Sequence, residues 1–151
     1  AGGDRERLGL EPVMRLKSCV STIKIFDGGT DISYGRTFCT KGETRVGVLP
    51  IGYADGLFRG LSGRMAVRTA AGPAPILGRI CMDMTMGNLT GLPEVRVGSE
   101  VEIFGANQLA DELAALLDTI PYELTCAVSK RVPRLYLRQG RVVERSLRLL
   151  V

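Results

Sequence analysis

Turn signals cut this chain into short runs. Asp27-Gly28-Gly29, Lys41-Gly42, Pro50, Ala70-Ala71-Gly72-Pro73, Gly91-Leu92-Pro93, Val97-Gly98, Gly105 and Gln139-Gly140 each stop one run and redirect the next. The runs between them are rich in β-branched residues and short, which is the signature of strands. Residues 13–26 read as one long strand, bulged near Ser18. Residues 31–39 lead through Tyr34-Gly35 into a second, and 44–49 form a third, closed by Pro50. Residues 51–63, which hold four glycines, read as irregular. Residues 64–69 and 75–80 flank a turn as a hairpin, 82–89 continue extended, and 100–104 form a further strand. Residues 132–137 and 141–147 flank Gln139-Gly140 as a last hairpin.

The helical period appears only late. Leu109, Leu113, Leu116 and Leu117 recur at three-to-four spacing, with Asn107 as a candidate cap and Asp111 and Glu112 near the positive end of the dipole. This helix should end near Asp118. Pro121 suits the first position of a second, short helix over 122–129, with Thr119 as its candidate cap. The sum is a mainly β fold: a closed or nearly closed β-barrel of about eight to nine strands, or a sandwich, with one or two short helices near the C-terminal end.

At 151 residues, with 45% hydrophobic and 24% charged, the chain can bury a core of its own as one globular domain. Residues 1–9, rich in Gly and charge, read as a linker or the frayed remnant of a preceding domain, and 10–151 as the domain itself. The first residue is Ala1 rather than Met, which suggests a processed or excised piece. Cys19, Cys39, Cys81 and Cys126 are widely spaced in apolar runs and there is no histidine, so no metal site is expected. Buried, reduced thiols fit a cytoplasmic protein. No apolar run approaches the roughly 20 residues of a membrane span and no signal peptide is visible, so no membrane partner is expected. The net charge is +4, with Arg131, Arg134, Arg138, Arg141, Arg145 and Arg148 crowding one end. A solvated basic edge explains these, or a surface for an acidic partner. Aromatic content of 5% and the lack of aromatic–basic interleaving argue against nucleic acid.

Three stretches carry the chemistry: Ile32-Ser33-Tyr34-Gly35, Pro50-Ile51-Gly52-Tyr53-Ala54-Asp55-Gly56 and Arg79-Ile80-Cys81-Met82-Asp83. Only four tyrosines occur, and two of them stand in these turn-like segments. A phenol titrates near 10, so to act as a base near neutrality it needs a positive charge or a relay partner. Histidine, the usual relay, is missing. Tyr34 must then be activated by an arginine or by a residue of another domain or subunit, unless it is simply a loop anchor. Backbone N–H groups at the Cys81-Met82-Asp83 turn can grip a carboxylate without a charged side chain. Asp83 either steers a cation or accepts turn N–H groups, and Asp55 reads as a turn-former. The alternation of Met82, Met84 and Met86 reads as strand packing.

The run Ser33-Tyr34-Gly35-Arg36-Thr37-Phe38, then Pro50 to Arg59, then Gly78-Arg79-Ile80-Cys81-Met82-Asp83, then Thr119-Ile120-Pro121-Tyr122-Glu123-Leu124, then Arg131-Val132-Pro133-Arg134, resembles the C-terminal domain of bacterial alanine racemase. The resemblance covers residues 10–137. It implies an N-terminal (β/α)8 barrel that holds pyridoxal 5'-phosphate on a lysine, and a homodimer in which this β domain completes the partner's active site. It also implies interconversion of L- and D-alanine, the latter a peptidoglycan precursor. By the same resemblance Tyr34 is the acid/base on one face of the substrate Cα and the Met82 N–H holds the substrate carboxylate. Asp83 lies beside it, Tyr53 narrows the substrate entrance, and Tyr122 touches the cofactor phosphate. Met84 departs from the family's usual glutamine. None of Lys17, Lys24, Lys41 and Lys130 has a cofactor-anchoring context, so the chain alone is expected to be inactive. A serine or other small amino-acid racemase, or a stand-alone β-barrel binding module, is the alternative.

Overall fold

The computed structural model describes residues 7–147. Residues 1–6 of the expected linker, and Arg148 of the basic end, lie outside the described residues. Among the described residues, eleven strands and two complete α-helices follow in order. They are β1 (Leu16–Cys19), β2 (Thr22–Phe26), β3 (Asp31–Ile32), β4 (Phe38–Cys39), β5 (Thr44–Leu49), β6 (Ala66–Thr69), β7 (Gly72–Pro75), β8 (Thr85–Asn88), β9 (Glu100–Phe104), α1 (Ala110–Leu117), α2 (Pro121–Ala127), β10 (Arg134–Arg138) and β11 (Arg141–Ser146). The mainly β expectation and the two late helices hold.

The barrel does not. Among the described residues the strands form four separate sheets: β1-β9-β6-β7, β2-β5-β8, β3-β4 and β10-β11. Two sequence features keep them apart. Residues 13–26 are not one strand, because the chain changes sheets at Val20-Ser21. Val20 N–H donates to Ser99 O at 2.9 Å and Ser21 N–H to Val48 O at 2.8 Å, so β1 pairs with β9 and β2 with β5. At the other side, β7 is Gly72-Pro73-Ala74-Pro75, and neither proline can donate to a further strand. Only an isolated bridge, Ile76 to Gly87, joins β7's continuation to β8.

The core lies between the first two sheets and the helices. Leu49, Leu57, Leu61, Val67, Ile80, Leu89, Val101, Ile103, Leu113 and Leu124 are all buried in one cluster. α1 presents Leu113 and Ala114 to it. Asn107 is not the cap of α1. Its N–H donates to the buried Glu102 carboxylate at 2.7 Å, while Gln108, also buried, donates to Ala66 O and Ile103 O, so the helix starts after Leu109. Asp118, at φ 55°, ends it where the sequence predicted. Ile120 rather than Thr119 is the cap residue of α2, and the Thr119 hydroxyl donates to Glu123 instead. Gln139 and Gly140 both take positive φ, 49° and 74°, as the tight β10–β11 turn requires. Of the cysteines only Cys81 is buried; Cys19, Cys39 and Cys126 are exposed, correcting the expectation of buried thiols. No helix among the described residues is long and apolar enough to cross a membrane.

Candidate functional site

Tyr34 opens a 3₁₀ turn, Tyr34–Arg36, that joins β3 to β4. Ser33, Gly35 and Arg36 all take positive φ (69°, 73° and 49°), a conformation that costs a non-glycine residue about 1 kcal/mol or more. External contacts hold the turn in place. The Ser33 hydroxyl donates to Arg79 O at 2.6 Å and lies 3.5 Å from Cys81 Sγ. Gly78 lets the two segments meet, since a Cβ there would lie 2.5 Å from Ile32 O. The Tyr34 ring is left 74% exposed.

Two backbone hydrogen bonds join the second loop directly to the third. Tyr53 N–H donates to Cys81 O at 2.9 Å, and Ala54 N–H to Met82 O at 3.0 Å. This approach requires glycine at position 52, where a Cβ would stand 2.2 Å from Cys81 O and 2.3 Å from Met82 O. Asp55 forms the turn as expected, accepting Gly52 N–H on Oδ2 at 2.9 Å. Gly56, at φ 107°, docks the loop on the end of α2, a Cβ there falling 2.7 Å from Ala127 O.

Cys81 N–H donates to Met84 O at 3.0 Å and closes the third turn. Met82 and Met84 are therefore on an exposed turn, not packed in a strand; only Met86, in β8, packs against a small core cluster. The Met82 N–H donates to no group among the described residues. Asp83 pairs with Arg131, whose Nη2 lies 2.6 Å from Asp83 Oδ1 and whose Nε lies 2.7 Å from Asp55 Oδ1. Hydrogen bonding to Asp55, then to Asp83, raises the Arg131 pKa above the ordinary arginine value.

Tyr34, Tyr53, Met82 and Asp83 line one open pocket of about 320 Å³, together with Arg59 and Arg79. This is the size of a small-molecule site. Tyr122 is not among its walls: it is 74% exposed on the first turn of α2. Arg59, Arg79 and Arg131 stand within sequence motifs but were not expected at the site. Arg59 and Arg79 lie in the same loops as the predicted residues, which was their signal, whereas Arg131 lies beyond α2. A larger hollow of about 760 Å³ contains none of the predicted residues. Its Arg15, Lys17 and Arg68 are offset by Glu94, Glu100 and Glu102, so it favours no ligand charge.

The chain as a whole is similar to known proteins. The chain is 46% identical over 145 residues to alanine racemase 1 of Clostridium acetobutylicum, and 43% identical over 141 residues to the alanine racemase of Geobacter sulfurreducens. These matches cover 93% and 89% of this chain but 38% and 37% of the relatives, so the chain spans little more than a third of their length. Among solved structures, alanine racemase of Clostridium difficile in complex with cycloserine superposes with a TM-score of 0.87 at 37% identity, over 91% of this chain and 37% of that one. Alanine racemase from Bacillus anthracis with bound L-Ala-P gives 0.82 at 38% identity, over 88% and 35%. The model of the family "Alanine racemase, C-terminal domain" matches residues 13–136. This chain belongs to the alanine racemase C-terminal domain family.

Proposed function

We propose that this chain is the C-terminal domain of a pyridoxal phosphate-dependent alanine racemase, with residues 1–9 as linker and 10–151 as the domain. In this reading it works in a cytoplasmic homodimer, where it completes a site whose cofactor barrel belongs to the N-terminal part of the partner subunit. The observation that carries the reading is the pocket itself: two exposed phenols and Met82, whose N–H has no partner among the described residues, line one small, open cavity. An open half-site of this kind suits a ligand held from the other side.

The residues fit a cofactor held elsewhere. None of the four lysines lines the pocket. Pyridoxal phosphate, when bound, supplies an electron sink for the charge left at the substrate Cα. Racemisation then needs a proton donor and acceptor on each face. Tyr34 serves one face, its phenolate oxygen taking the Cα proton in one direction and its hydroxyl returning a proton to Cα in the other. The Met82 N–H donates a hydrogen bond to the substrate carboxylate, which sets the Cα relative to Tyr34. Tyr53 narrows the opening and favours a small side chain such as that of alanine over bulkier ones. Arg59 and Arg79 attract the carboxylate end of an amino acid towards the pocket. Tyr122, outside the pocket, is free to reach a phosphate carried by the partner. The two solved relatives are described in complex with cycloserine and with bound L-Ala-P.

The test compares the full-length protein with this chain alone. Full-length protein supplied with pyridoxal phosphate should interconvert L- and D-alanine, while the chain alone should neither turn over L-alanine nor bind the cofactor covalently. Turnover by the isolated chain, or a full-length protein inactive on alanine but active on serine, would refute the assignment.

A further inference from the structure

One guanidinium links two loops that are far apart in sequence. Arg131 Nε–H donates to Asp55 Oδ1 at 2.7 Å, 76 positions away, and its Nη2–H donates to Asp83 Oδ1 at 2.6 Å, 48 positions away. The other oxygen of Asp55 accepts Gly52 N–H. Arg131 is itself presented by a turn after α2. Ser129 N–H donates to Asp55 O at 3.2 Å, Arg131 N–H to Ser129 Oγ at 3.3 Å, and Val132 N–H to Ser129 O at 3.1 Å. Three segments therefore meet at a single side chain beside the pocket.

We propose that Arg131 is a positioning residue of this site: its two-pronged bridge from Asp55 to Asp83 fixes the Cys81–Met84 turn and with it the direction of the Met82 N–H. The proposal rests on the reading of that N–H as the carboxylate grip. A planar guanidinium sets the separation of its two acceptors in a way that a lysine ammonium cannot. The bridge also acts through charge. Asp83 follows Met82 directly, and an uncompensated carboxylate there would repel the anion that the neighbouring N–H must hold. Arg131 cancels that charge. Arginine is cationic with or without a partner, and hydrogen bonding to Asp55 and then to Asp83 raises its pKa further. Arg59 and Arg79, the cations that line the pocket, make no ion pair among the described residues. They can attract a carboxylate, but they do not tie the turn.

The side chains of Arg131 and Asp83 are 40% and 55% exposed, so the pair adds little to global stability and its removal should leave the fold intact. The experiment uses the full-length protein as wild type, Arg131→Ala, Arg131→Lys and the double variant Arg131→Ala/Asp83→Asn. Hydrogen–deuterium exchange of peptides spanning 51–56 and 80–85 reads the Tyr53, Ala54 and Cys81 amides, which bond across and within these turns. Steady-state kinetics read KM and kcat for L-alanine. In Arg131→Ala, exchange in both peptides should quicken about tenfold while that of 44–49 stays unchanged. KM should rise about tenfold with kcat within about threefold of wild type. Lysine should give intermediate values, and the double variant should recover part of KM without slowing exchange. Unchanged exchange in Arg131→Ala overturns the proposal, as does quickened exchange with an unmoved KM. If the wild-type protein does not interconvert alanine enantiomers, the functional reading fails by itself. Exchange then decides alone: quickened, Arg131 holds the turn; unchanged, it does not.

Discussion

At the scale of single residues, the site depends on atoms that are missing as much as on those present. Gly52 is the clearest case, because its missing Cβ allows the Tyr53 and Met82 turns to share two hydrogen bonds. Gly52→Ala should force the turns apart and cost about 3 kcal/mol, read as a lower midpoint in urea unfolding. A midpoint within error of wild type would show that the loops yield easily. Residue roles were legible in the sequence wherever local chemistry decides them. Asp55 in a Tyr-Ala-Asp-Gly context reads as a turn-former, and it does form the turn. Arg131 was not legible as a site residue, because both of its partners lie dozens of positions away and nothing local marks it among the neighbouring arginines. The methionines misled for the opposite reason: the alternation of 82, 84 and 86 matches a strand, but the Cys81-to-Met84 bond folds the first two into a turn.

Elements show the same division between local and distant causes. β5 and β9 were legible to their end residues, because Pro50 and Gly105 stop them and apolar runs fill them. β1 and β2 were read as one strand, since Val20 and Ser21 carry no local sign that their partners lie in different sheets. α1 illustrates how packing overrides capping. Its leucine spacing was visible, but buried Gln108 and Glu102 take up the backbone groups that set its start. Leu113 is its anchor, 2% exposed in the main core cluster. Leu113→Ala should therefore cost about 3 kcal/mol, measured by chemical unfolding. A loss below about 1 kcal/mol would mean that the helix packs only loosely on the sheets.

On the scale of the whole molecule, the fold brings three turns from distant parts of the chain to one open pocket, with Tyr34 and Met82 on its wall. A barrel expectation failed here because sheet closure depends on long-range pairing, which β7's prolines and the crossing at Val20-Ser21 redirect. The grouping of the three turns, by contrast, was readable from their joint presence in one sequence. The central claim is that Tyr34 handles the Cα proton on one face of an amino acid held from the other side. Racemisation rates alone test it poorly, since the two directions share an equilibrium constant of one and their kcat/KM values must match. The direct measurement is NMR of deuterium uptake at Cα, in heavy water, from each alanine enantiomer separately, by the full-length Tyr34→Phe variant. The account predicts racemisation reduced by about 10³-fold or more, with deuterium uptake persisting for one enantiomer and lost for the other. Uptake that is equal for both enantiomers, at a rate near wild type, would contradict it.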